Sequence, residues 1–165
     1  MKKILFSLFL VLALVAVASP AFALQCKEGN YGSDECWTSV KVSASETTPV
    51  IAGTVLMYDF ASSTGPDDSA FQVRVSSAST DVYKVAGVAQ GPISTGDRGM
   101  ILVRGQGQLQ VANSATSGDR LYTSSTAGKA GTIGGDNITT SHDGMIAFAL
   151  ETSVSATIDA YIVVV

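Results

Sequence analysis

Ser141, His142 and Asp143 supply the side-chain types of a nucleophile, its base and the acid that orients that base. Such a trio works only when the three side chains converge, with base and nucleophile about 3 Å apart. Neighbouring residues of an extended chain point to opposite faces, so three in a row argue against a triad. His142 is the only histidine, and ahead of Asp143-Gly144 it reads as turn chemistry entering a strand. The carboxylates offer no better start. Asp67 and Asp68 are adjacent where a calcium loop alternates its oxygen ligands, and Gly134-Gly135-Asp136-Asn137 brings one carboxylate and one amide. The other acids are isolated, so no glycosidase-like pair can be picked out. Gly105-Gln106-Gly107 and the glycines at 128, 131, 134 and 135 lie between strand-like segments. A phosphate cradle needs a helix after the glycines. No catalytic, cofactor-binding or metal-ligating set is expected. Asn137-Ile138-Thr139 matches a glycosylation sequon, which matters only in a host with that machinery.

The sulfur chemistry is more definite. Cys26 and Cys36 are the only cysteines, and they bracket the polar, turn-like run KEGNYGSDE. A redox or metal pair needs Cys-x-x-Cys spacing or further ligands, and neither is present. A structural disulfide closing a small N-terminal loop is expected, contributing about 2–3 kcal/mol. That expectation requires an oxidising compartment, and the N-terminus supplies one. Met1-Lys2-Lys3 is positive, residues 4–18 are apolar apart from Ser7, and Ala21-Phe22-Ala23 offers small residues at a cut after Ala23. This is the order of a secretory signal peptide. The apolar run is short for a spanning helix, which needs about 20 residues. Gln25 ahead of Cys26 does not suit a lipid-attachment site. The chain is therefore read as secreted, extracellular or at the cell surface, with no membrane association after cleavage.

Composition bounds the rest. The 165 residues are 46% hydrophobic and 15% charged, which is too apolar for a disordered tail. A formal charge of −4 excludes a nucleic-acid footprint, and loss of Lys2 and Lys3 makes the mature chain more acidic. Short β-rich runs recur at residues 37–43, 54–60, 71–75, 82–89, 100–103, 109–111, 121–123, 145–150 and 158–165, separated by Gly, Pro, Ser and Asp. About nine short strands without a helical period predict an all-β protein, a compact barrel or sandwich. The expected organisation is a signal peptide at 1–23, a disulfide loop and short strand at 24–48, and the β domain at 49–165.

Gly96-Asp97-Arg98 and Gly118-Asp119-Arg120 each precede an apolar strand. Glycine permits the positive φ of a tight turn and aspartate bonds nearby amides, so Gly96, Asp97, Gly118 and Asp119 are read as a turn signature. Three further runs lead in the same direction. They are Val85-Ala86-Gly87-Val88-Ala89, Ile93-Ser94-Thr95-Gly96-Asp97-Arg98-Gly99 and Val103-Arg104-Gly105. With Ala115-Thr116-Ser117-Gly118-Asp119-Arg120-Leu121-Tyr122, Ala127-Gly128-Lys129-Ala130, residues 144–150 and Ile162-Val163-Val164, the pattern resembles the phage capsid-cement, or head-decoration, proteins. The resemblance spans roughly residues 50–165. It implies a compact, non-catalytic β domain that binds neighbouring subunits. The leader and the cysteine pair depart from that family, whose members act on shells assembled in the cytoplasm.

Three functions follow as expectations. The first is an exported, self-assembling structural subunit of a filament, sheath or surface layer. The second is a virion decoration protein whose residues 1–23 stay as an apolar anchor. The third is an exported carbohydrate- or ligand-binding module using Trp37, Tyr31 or Tyr58 as a stacking platform, although a lone Trp beside a disulfide is more often a packing residue. Self-association as a homo-oligomer is expected through residues 37–49 or 158–165, because open sheet edges accept strands. The competing arrangement is a closed monomer with both segments tucked in. Intact-mass measurement of exported protein tests the leader: the expected N-terminus is Leu24, and a mass that retains residues 1–23 removes the secretory reading.

Overall fold

The computed structural model describes residues 25–27, 34–60, 72–77, 84–133, 145–154 and 157–164. Residues 1–23, and with them the leader, lie outside this set. The described chain is all-β. Its ten strands are β1 (Gln25–Lys27), β2 (Glu35–Val42), β3 (Val55–Tyr58), β4 (Gln72–Val75), β5 (Val85–Ala89), β6 (Arg98–Gln110), β7 (Arg120–Thr123), β8 (Ala130–Gly131), β9 (Met145–Ala149) and β10 (Thr157–Val163). They form one sheet in the order β1-β2-β4-β3-β5-β6-β10-β9-β7-β8, and β2 also pairs with β6. Among the described residues no helix is long and apolar enough to cross a membrane.

The extra β2–β6 pairing closes a circuit of five strands, β2-β4-β3-β5-β6, antiparallel except for the β2–β4 step. Val40, Val42, Val50, Leu56, Val73, Val75, Ala86, Ala89 and Ile101 pack together as one buried cluster within it. A second layer, β10-β9-β7-β8, continues from the far half of β6. Its Leu121, Ile146, Ile158 and Ile162 pack with Val55, Val88 and Leu102 in another cluster. The strands β3, β5 and β6 therefore carry core on both faces. Val55 and Leu56, Val88 and Ala89, and Leu102 and Ile101 each point to opposite clusters. This is why residues 85–89 are all buried and nearly all apolar, as expected for a strand covered on two sides. By contrast β10, with one solvent face, alternates exposed and buried residues from Thr157 to Ile162.

The thirteen residues of β6 serve both layers. Its first half lies between β2 and β5: Leu102 is opposite Trp37 on one edge and Val88 on the other. Its second half pairs with β10 through Val163↔Arg104 to Thr157↔Gln110. Side chains and a turn complete the opposite edge there. Gln90 accepts from the Gln108 N–H at 2.7 Å and donates to its carbonyl at 3.0 Å, and the Gln110 N–H donates to Gly53 O at 2.9 Å. At Gly107 a Cβ would stand 2.7 Å from both the Leu102 side chain and the Gln90 amide, so the close approach requires glycine.

Both segments expected to reach a neighbour are paired inside their own chain. The β2 strand bonds to β1, β4 and β6, and β10 is enclosed between β6 and β9. An interior strand has no free edge for addition, and the apolar sequence of β10 is buried within its own domain. Leu102, with no exposed surface at the junction of the two layers, is the sharpest test of this arrangement. Leu102→Ala is expected to lower the unfolding free energy by about 3 kcal/mol in denaturant titration. Val154→Ala, 81% exposed, is expected to change it by less than about 0.5 kcal/mol.

Candidate functional site

The two Gly-Asp turns perform the same operation twice. In the first, the Gly96 N–H donates to Val42 O (3.0 Å), the Val42 N–H donates to Asp97 O (3.0 Å), and the Asp97 N–H donates to Ser94 O (3.1 Å). In the second, Gly118 donates to Ala149 O (2.8 Å), Ala149 donates to Asp119 O (2.9 Å), and Asp119 donates to Thr116 O (2.9 Å). Each turn thus clamps the end of another strand, β2 in one case and β9 in the other. The registers agree as well. Arg98 pairs with Lys41 and Arg120 with Phe148, while Ile93 bridges Val50 and Ala115 bridges Ser153. The glycines have φ of 80° and 92° with open space where a Cβ would go, so backbone conformation rather than packing selects glycine. The Asp119 carboxylate accepts from the Thr116 N–H at 2.8 Å and tightens the second turn.

Beside each turn lies a shallow hollow. One, of about 240 Å³, is lined by Pro92, Ile93, Asp97, Arg98 and Met100 among others. The other, of about 340 Å³, is lined by Asp119, Arg120, Tyr122, Thr132 and Ile133. Each contains one acid, one arginine and an apolar side chain. Neither has the convergent acid–base pair or ligand set that chemistry needs. Among the described residues no three His, Cys, Asp or Glu side chains gather as a metal site would require.

The other candidate region is at the N-terminal strand. Cys26 and Cys36 are directly opposite on β1 and β2 and are joined by a disulfide, with Cα atoms 4.0 Å apart. Cys36 in turn lies opposite Arg104 on β6, and Arg104 opposite Val163 on β10. One row therefore links the first and last strands through the middle of β6. The exposed Arg104 guanidinium donates a hydrogen bond to the Tyr161 hydroxyl. That bond, the charge Tyr161 can carry and the nearby Asp34 carboxylate together hold its pKa above the usual arginine value. Sequence reading missed Arg104 and Tyr161, because only the pairing of β6 with β10 brings them together.

The remaining candidates separate clearly. Trp37 is half-buried and packs on the core, so its ring is a packing group. Tyr58 stacks at a tilt on Phe60, with ring centroids 5.9 Å apart, and Phe60 is 66% exposed. Tyr31, Asp67, Asp68, Gly134, Gly135, Asp136, Asn137, Ser141, His142 and Asp143 lie outside the described residues.

No protein-family model matches the chain, and no curated protein matches it. Among solved structures it is similar to the N base of the head fiber protein gp8.5 of bacteriophage phi29. The TM-score is 0.52 at 17% identity, covering 78% of this chain and 93% of that one. The likeness is one of fold, and it agrees with the resemblance to phage head-decoration β domains drawn from the turn motifs. The turns themselves can be tested by substitution. Gly118→Ala is expected to destabilise by about 1–2 kcal/mol, as left-handed backbone costs for a residue with a Cβ. Gly118→Asn is expected to recover part of that loss in the same denaturant titration, because Asn tolerates this conformation.

Proposed function

We propose that the protein is a non-enzymatic structural subunit that works outside the cell that makes it, as the base of a surface fibre or as a decoration protein. The observation that carries this reading is the fold shared with a head fiber base over most of that chain. The residues support it. Gly96, Asp97, Gly118 and Asp119 serve the backbone, each pair clamping the end of another strand. The Cys26–Cys36 bridge fits an oxidising environment. In this reading no cofactor takes part, and the partners are other copies of the chain or a shell surface.

The leader pattern at residues 1–23 favours export as a filament, sheath or surface-layer subunit; the fold favours attachment to a virion. Electron cryo-microscopy of culture supernatant, with antibody labelling of the native protein, distinguishes them. Label on ordered fibres without capsids supports the exported filament. Label on capsid surfaces supports the decoration role. Monodisperse, unattached protein at high concentration overturns both.

A further inference from the structure

The edge of β2 that faces away from β6 is covered at Glu35–Trp37 by β1 alone among the described strands. β2 is held on its other edge by β6 at residues 36–41, while β4 pairs further along the same edge as β1, at Lys41 and Val42. The cover is therefore a separate piece: β1 pairs only with β2, while the five-strand circuit closes without it. It is three residues long, and its Cys26 and Lys27 are exposed. Besides the chain that leads on to β2, the Cys26–Cys36 bond ties it covalently to the edge it covers. The edge beneath is matched to this segment, with Gln25 opposite Trp37, Cys26 opposite Cys36, and Lys27 opposite Glu35 as a cross-strand pair of opposite charges.

We propose that β1 is exchangeable between copies, so that Gln25–Lys27 of one chain covers the β2 edge of a second copy in the same register. The bond between Cys26 and Cys36 then locks the exchanged form. The occupant is a second copy because that edge is built for this sequence, with its charge pair and its sulfur. The link from β1 to β2 is seven residues, which would span at most about 23–25 Å if fully extended. Locking is balanced chemistry. The Cys26 thiol of one chain and the Cys36 thiol of the other give up two electrons and two protons to a small-molecule disulfide, which leaves as two thiols. Each chain offers one Cys26 and one Cys36, so the contact is head-to-tail and extends into rings or open chains. This inference deepens the proposed structural role and rests on it.

Cys26→Ser and Cys36→Ser full-length proteins, each unable to close its own bridge, provide the test. They are mixed, oxidised with glutathione disulfide and run on non-reducing gels, with circular dichroism checking that each retains its β fold. The expected result is a mixed dimer linked Cys26–Cys36, exceeding either homodimer by more than about tenfold, as a templated pairing raises the local thiol concentration. Gains in hydrogen-exchange protection at Glu35 and Trp37 should accompany it. A statistical mixture of the three dimers, or no dimer, overturns the exchange. If a variant fails to fold, wild-type protein is reduced with a dithiol and reoxidised at high concentration. A ladder of covalent oligomers mapped to Cys26–Cys36 then supports exchange, and monomer alone overturns it. Labelled fibres or capsids without the mixed dimer would refute exchange while leaving the structural role standing. A mixed dimer with only unattached protein in the supernatant would do the reverse.

Discussion

An all-β chain must find a partner for nearly every buried backbone N–H and C=O, and in this molecule β6 is where that demand is met. Both layers take a bonded edge from it. Its first half is held by β2 and β5, and its second by β10 on one side and by Gln90 and the Gly53 carbonyl on the other. Gly105 and Gly107 let its neighbours pack closely against the backbone where the two halves meet. Because the wall formed by β3, β5 and β6 has core on both faces, a change at Leu102 or Val88 is felt in the layer that packs against the circuit as well as in the circuit itself.

The duplicated clamp gives a second level of order. Two stretches beginning Ile93-Ser94-Thr95 and Ala115-Thr116-Ser117 run into Gly-Asp-Arg and grip strand ends in matching register. The gripped strands differ: β2 ends in Lys41-Val42 and β9 in Phe148-Ala149. The repetition is thus carried by backbone geometry, with only the turn residues visibly repeated. Side chains beside the turns are free to differ, and they do, with Met100 in one hollow and Tyr122 and Ile133 in the other.

Much of this was legible in the residues, for physical reasons that can be named. Local chemistry carries part of it: Gly-Asp at 96–97 and 118–119 favours tight turns, and the mostly apolar run 82–89 favours a buried strand, of which residues 85–89 are covered on both faces. The long strand was not legible. Gly105-Gln106-Gly107 reads as a break between residues 100–103 and 109–111, yet the chain passes through it as one strand, because glycine also permits neighbours to pack closely on a continuous strand. The shortest strands, β1 and β8, were hidden in polar and glycine-rich sequence, where two or three residues cannot show a period. The partners of the clamps, Val42 and Ala149, and the meeting of Arg104 with Tyr161 depend on contacts distant in sequence, which no local pattern encodes.

The row running from Cys26 through Cys36 and Arg104 to Val163 also sets how the molecule carries tension. A pull on the chain ahead of Gln25 enters β2 through a covalent sulfur bridge and bypasses the weak three-residue ladder of β1. A pull beyond Val163 enters β10, which meets β6 at the same residue, Arg104. Loads from the two directions converge on the middle of one strand bonded on both edges. Stretching this protein would therefore load a point of its sheet that is paired on both edges rather than either end alone.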